Sequence, residues 1–223
     1  MNDNFFQEDQ ITVNLQKLFS QVKGASLIHA DPPWTYRNKK TLCGVSNPED
    51  NQIYDTLKIS DIVRHVDQAF DSAAENARLI LWVTWPLLIE WHEATQKQAF
   101  RWEYKTGGCW HKAGGVGVGV HWRGRSEPVL IYVKGKPHND IKLILKNSHN
   151  SRPEQHSVKP VLWIERMIRK WTVEGDLVFD LYAGLAPVAL ACLNTGRRYE
   201  GAEIDTERHQ MAIARMKDRA ENL

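Results

Sequence analysis

The sequence predicts an α/β fold with a mostly parallel sheet, helices on both faces and an antiparallel hairpin at one edge. Three observations carry this. Short apolar runs, SLIHA (26–30), ARLILWVT (77–84) and DLVFDLYAG (176–184), alternate with stretches of helical periodicity. Two of them stop abruptly at punctuation, DPP at 31–33 and a glycine at 184, as buried strands do. The segments RWEYKTGGCWHK (101–112) and SEPVLIYVKG (126–135) read as a strand pair with a short, Gly-rich connection.

The elements follow in order. Residues 10–14 (QITVN) read as a short strand and 15–22 as a helix. SLIHA is a buried strand, and 35–52 is a polar loop with Gly, Asn and Pro. Ser60 is placed as the N-cap of a helix running through SDIVRHVDQAFDSA. After ARLILWVT, Pro86 occupies the first turn of a helix reaching about Gln98. Residues 136–157 read as irregular, and KPVLWIERMIRKW (159–171) as an amphipathic helix. A helix over 186–195 ends at Gly196, RYEGAEID (198–205) is a strand, and a final helix closes the chain. There is no internal repeat or long linker, so 1–223 is expected to form one domain.

Composition excludes several classes. With 42% hydrophobic and 25% charged residues the 223-residue chain is not disordered. The stretch LILWVTWPLLIEW (79–91) is shorter than a bilayer span. The first twenty residues lack the basic and apolar regions of a signal peptide. Three scattered cysteines suit a reducing cytoplasm rather than a disulfide or zinc framework. The histidines show no metal-ligand spacing.

Charge is uneven. Residues 1–100 hold 9 Lys/Arg against 13 Asp/Glu, residues 101–170 hold 14 against 5, and residues 171–223 hold 6 against 9. A basic middle points to a polyanion partner; a solvated basic face has the same composition. Among the nine tryptophans, Trp102, Trp110 and Trp122 near this segment are candidates for stacking on bases.

Asp31-Pro32-Pro33-Trp34 stands at the carboxyl end of a buried strand, where ligands of open α/β sheets bind. Its chemistry suits attack by an exocyclic amine, whose lone pair is delocalised into its ring. The Asp31 carboxylate and the Pro32 carbonyl would accept the amine N–H bonds and localise that pair. The two prolines fix the carbonyl direction, and Trp34 offers a π-face. The alternative is a Pro-Pro turn with a capping Asp. A second unit, DLYAG then GRRYEGAEID, sets a glycine after one strand and acids after the next, as nucleoside cofactors require. A packing glycine and a surface acid would look the same.

Together with Tyr54 in YDTLKISDI, LILWVTWP, CWHK, WRGRSEPVLIYVKG and SVKP (157–160), these motifs resemble the DPPW-type adenine-N6 methyltransferases. The best-known member is the catalytic subunit of the eukaryotic mRNA adenosine methyltransferase, and small members occur in bacteria and phages. The resemblance covers roughly residues 10–215, and its motif order is similar to that of the permuted beta-class DNA amino-methyltransferases. It implies a Rossmann-like methyltransferase that uses S-adenosylmethionine and methylates adenine N6 in DNA. RNA is the alternative substrate, and an inactive nucleic-acid-binding homologue a second alternative.

It also implies roles. Asp31 would bind the cofactor's methionine ammonium and the target amine, and Pro32, Pro33 and Trp34 would form the base site. Lys159 would meet the methionine carboxylate, Tyr182 and Gly184 would line the cofactor cleft, Glu203 would take the ribose, and Asn14 would meet the adenine. Beside these, Tyr54 and the loop residues Arg123 and Arg125 are candidates for contact with nucleic acid, and the charge of the basic segment makes Lys134 and Lys136 candidates for contact with its phosphates. Arg125 with Glu127 fits either a loop beside the base site or a structural salt bridge. Two departures from the family pattern stand out: Val158 replaces the histidine of S-H-K-P, and the cofactor turn reads YAGLAP. With no separate recognition domain, the loops at 35–52, 111–125 and 136–157 would read the substrate, as a single strand or a flipped base. A homodimer is a possible assembly.

Overall fold

The computed structural model describes residues 11–35, 56–112, 124–140 and 158–222. Seven strands form one sheet: β1 (Ile11–Thr12), β2 (Ala25–Ala30), β3 (Ala73–Trp82), β4 (Glu103–His111), β5 (Ser126–Lys134), β6 (Leu177–Asp180) and β7 (Arg198–Ala202). Six α-helices connect them: α1 (Leu15–Gln21), α2 (Ile59–Gln68), α3 (Leu88–Lys97), α4 (Val161–Trp171), α5 (Pro187–Thr195) and α6 (Thr206–Glu221). The strand order is β1-β7-β6-β2-β3-β5-β4. All pairs from β1 to β3 are parallel; β5 and β4 are antiparallel. The Rossmann-like sheet with its antiparallel edge hairpin is therefore present.

Alternation along the strands sends side chains into two cores. On one face Ile28, Leu79, Leu81 and Phe179 pack against α1, α2 and α3 through Phe19, Ile62, Val66 and Trp91. On the other, Leu27, Ile80, Trp82 and Val178 pack against α4, α5 and α6 through Trp163, Met167, Val188 and Met216. Trp102 and Trp110, proposed above to stack on bases, are 4% and 1% exposed and belong to these cores. Trp122 lies outside the described residues.

The local punctuation differs in places. Lys58, not Ser60, is the N-cap of α2, and its side chain makes no cap bond; Ser60 falls inside the first turn. The residues around Pro86 split into a one-turn 3-10 helix (Trp85–Leu87) and α3. Gly196 ends α5 at φ +70°, as the sequence predicts. Among the described residues no helix is long and apolar enough to cross a membrane.

Connectivity positions the site. From β6 the chain crosses through α5 to β7 on one side, and from β2 it crosses through α2 to β3 on the other. The crossing direction reverses between the adjacent strands β6 and β2, which opens a crevice beyond their carboxyl ends.

Candidate active site

Asp31 follows β2 directly and the turn 181–186 follows β6, so both sequence units empty into the crevice. There they line a cleft of about 850 Å³ with Pro32, Pro33, Trp34, Glu127 and Lys159, and with Tyr182, Gly184 and Glu203. That volume suits a nucleoside-sized ligand with room beside it.

At the β2 end, the Asp31 carboxylate takes the ammonium of Lys159 at 2.7 Å, and that ammonium also reaches Glu127 at 3.2 Å. Glu127 starts β5 and is shared with Lys112, which follows β4. Two carboxylates and two ammonium groups thus alternate across the ends of three strands and the start of α4. Lys159 is 6% exposed and lies 5.0 Å from the centre of the Trp82 ring. Burial opposes its charge, but Asp31 and Glu127 outweigh burial and hold it protonated well above the ordinary lysine range. Burial pushes the Asp31 carboxyl above its ordinary 3.8 despite Lys159. For Glu127 burial works upward, yet Lys159 and Lys112 bring its carboxyl below the ordinary 4.5. Asp31 caps no helix, since none starts at 31–35; its partner is Lys159.

At the β6 end, one Glu203 carboxylate oxygen accepts from the Gly184 amide at 2.8 Å and the other from the Asp205 amide at 2.9 Å. Burial raises the Glu203 carboxyl above its ordinary 4.5, against the pull of those two amides. The turn is left-handed at Gly184 (φ +54°) and again at Ala186 (φ +57°), where a side chain is strained. A methyl on Gly184 would meet no protein atom within 4 Å, so the backbone is open to a ligand there. Tyr182 shares a 3.1 Å hydrogen bond with His65 of α2. Burial lowers His65 and raises Tyr182, keeping both neutral near pH 7.

Several sequence assignments change. Trp34 lines the cleft but is only 4% exposed. Its Nε1 donates to the Trp82 carbonyl at 3.2 Å and its ring stands edge-on to Trp91, so it is a wall of the core rather than an open stacking face. Asn14 is exposed and caps α1, its side chain accepting from the Lys17 amide at 3.0 Å; the cleft is lined by its neighbours Val13 and Leu15. Lys134 and Lys136 lie at the far end of β5. Antiparallel pairing sets Lys134 opposite Ala77, five residues back from the end of β3 at Trp82, whereas the cleft lies beyond that end. There Lys134 donates to the carbonyls of Phe70 and Ala73, and the Lys136 amide to Asn76. Glu127 pairs with Lys112 and Lys159 rather than with Arg125, whose side chain is exposed beside the cleft. Tyr54 and Arg123 lie outside the described residues.

Sequence reasoning missed a buried relay under the cleft. The parallel register sets His29 beside Asp180. His29 Nδ1 contacts Asp180 at 2.9 Å, and its Nε2 receives the Trp82 indole N–H at 2.8 Å. An indole only donates, so Nε2 accepts and the proton sits on Nδ1, donated to Asp180. The sequence signal was present: His29 lies two residues before Asp31 and Asp180 opens DLYAG.

Residues 140–214 match the DNA methylase family model. The chain is similar to the M1.HpyAVI structure solved with SAM, with a TM-score of 0.67 at 18% identity, covering 96% of this chain and 99% of that one. The fold is that of the DNA methylases. It is shared with the PvuII DNA methyltransferase, described as cytosine-N4-specific, at a TM-score of 0.68 and 13% identity over 96% of this chain and 94% of that one. YubD of Escherichia coli (strain K12), a methylase by name, is 27% identical over 95 residues, or 41% of this chain. That match spans 42% of YubD's length. The family-model match holds α4, the glycine turn and Glu203, whereas Asp31 lies before it.

Proposed function

We propose that the chain transfers a methyl group from S-adenosylmethionine to the exocyclic N6 of adenine in DNA. One observation carries the reading: Asp31-Pro32-Pro33-Trp34 and the Gly184–Glu203 pair, far apart in sequence, face one cleft across the reversal point of the sheet.

The residues fit the cofactor. Glu203, aligned by two backbone amides, offers carboxylate oxygens for ribose hydroxyls, and the open Gly184 backbone lets a ligand approach. Val13, Ile204 and Met211 line the same cleft, with apolar side chains 47%, 82% and 43% exposed. Covering them with a flat purine removes that surface from water. Lys159 spends two of its three N–H donors on Asp31 and Glu127, leaving one for a ligand carboxylate. When bound, S-adenosylmethionine supplies an electrophilic methyl group.

The chain's own residues then prepare the amine. Lys159 holds one oxygen of Asp31, which leaves the second oxygen of this cleft-lining carboxylate to accept from the amine. Asp31 and the Pro32 carbonyl accept the N–H bonds of the target amine and localise its lone pair. Pro33 is fastened by its carbonyl, which accepts the Leu57 amide at 2.8 Å, so the tetrapeptide cannot swing away. Catalysis rests on positioning and fixed charge.

The likeness to a cytosine-N4-specific enzyme supports a second reading, since cytosine N4 is the same kind of exocyclic amine. The test is transfer of labelled methyl from S-adenosylmethionine to unmodified DNA, with RNA in parallel, followed by nucleoside mass spectrometry. N6-methyladenine in DNA is expected. N4-methylcytosine would establish the second reading, and label only in RNA would overturn the choice of DNA.

A further inference from the structure

The described tryptophans divide unevenly. Seven are buried, while Trp85 is 49% exposed. It lies one residue beyond Thr84, and its indole Nε1 donates to Ser126 Oγ at 3.1 Å. Ser126 immediately precedes Glu127, and both Thr84 and Glu127 line the cleft. The indole therefore bridges the ends of β3 and β5 beside the mouth of the site, its one polar atom satisfied and its ring held in place. Ile89, four residues further along the chain, is also apolar and 71% exposed. Arg125, exposed, precedes Ser126, and its carbonyl accepts the Lys112 amide at 2.7 Å, which brings a second cation to the same rim.

We propose that Trp85 is a stacking platform for the base next to the target base in a DNA strand, with Arg125 beside it facing the strand's phosphates. The role rests on the methyl-transfer reading above. A flat apolar ring flanked by cations matches a strand that alternates flat bases with negative charge. It also supplies the open aromatic face that Trp34, sealed in the core, does not. Pinning the indole in advance lowers the ordering cost of binding. An unpaired strand, or one locally opened around an extruded base, presents the base face that such a ring takes.

The test is fluorescence anisotropy with a labelled single-stranded oligodeoxynucleotide of mixed sequence, across a salt series, for the wild type, Trp85→Ala, Trp85→Phe and Arg125→Ala. Trp85→Ala should bind about 5- to 150-fold more weakly, the span of one base–aromatic stack, with Trp85→Phe between it and the wild type. Its salt slope and cofactor affinity should match the wild type, whereas Arg125→Ala should flatten the slope. Photocrosslinking of a 5-iodouracil oligonucleotide to the wild-type chain gives a second readout that no folding defect can mimic, and the crosslink should map to Trp85. Undiminished affinity in Trp85→Ala, or crosslinks only elsewhere, would overturn the platform while leaving methyl transfer intact. Loss of a dimer in Trp85→Ala with unchanged DNA affinity would assign the patch to a second copy of the chain instead. A wild-type chain that binds no DNA at all would remove the methyl-transfer reading itself.

Discussion

Asp31 and Asn14 show how differently two polar residues at element ends can be employed. Asp31 is buried beside Lys159 with its carboxyl above the ordinary 3.8. In the proposed transfer its ionised form is the one that accepts the amine, so activity should be lost as pH falls through that raised value. The acid limb of kcat/KM should therefore lie above 3.8, and a limb at or below it would detach Asp31 from the reaction. Asn14 instead satisfies the Lys17 amide at the start of α1. Asn14→Ala should lower stability by about 0.5–2 kcal/mol, the worth of a cap, and leave calorimetric cofactor affinity unchanged. A tenfold loss of affinity at constant stability would restore Asn14 to the cofactor site. Trp34 is a third case. Its indole is hydrogen-bonded, buried and edge-on to Trp91, so Trp34→Ala should cost about 3–5 kcal/mol in denaturant unfolding.

At the scale of elements, the site depends on charges carried by different strands. Lys159, at the entry to α4, neutralises Asp31 after β2 and Glu127 at the head of β5. Removing it leaves two carboxylates facing each other in a poorly solvated place. Lys159→Ala should destabilise the chain by about 3–5 kcal/mol at neutral pH, more than the loss of an exposed ion pair. The sign with pH follows from the carboxylates left behind. Protonating them relieves the repulsion, so the variant's deficit should shrink on acidification. Urea midpoints of both chains between pH 7 and pH 4 measure this, and a deficit that grows toward acid would contradict the arrangement.

For the whole molecule, the basic middle of the sequence does not form one face at the cleft. Lys134 and Lys136 sit at the opposite end of the sheet, while Lys159 lines the cleft and Lys112 pairs with Glu127 of its wall. Neutralising Lys134 and Lys136 together should leave the salt dependence of DNA binding unchanged, whereas removing a cation that neutralises one duplex phosphate at the cleft should reduce the slope by about 0.9. A flattened slope in the double variant would place DNA across both ends. Element order, the edge hairpin and the two ligand-facing turns were legible in the sequence because apolar runs and their Pro and Gly stops are local signals. What was not legible depends on register and direction. Only strand pairing tells that His29 meets Asp180, that β5 carries Glu127 to the cleft and Lys134 away from it, and that Trp34 turns inward. In the proposed function both halves of the chain converge on one transfer site around Asp31. Its most direct test is single-turnover transfer of labelled methyl to unmodified DNA by wild type and Asp31→Asn, with folding verified by thermal melting. Asp31→Asn, folded, should lose about 10²–10³-fold or more in rate, as when one preorganised electrostatic interaction is removed. A folded Asp31→Asn that methylates DNA at the wild-type rate would contradict it.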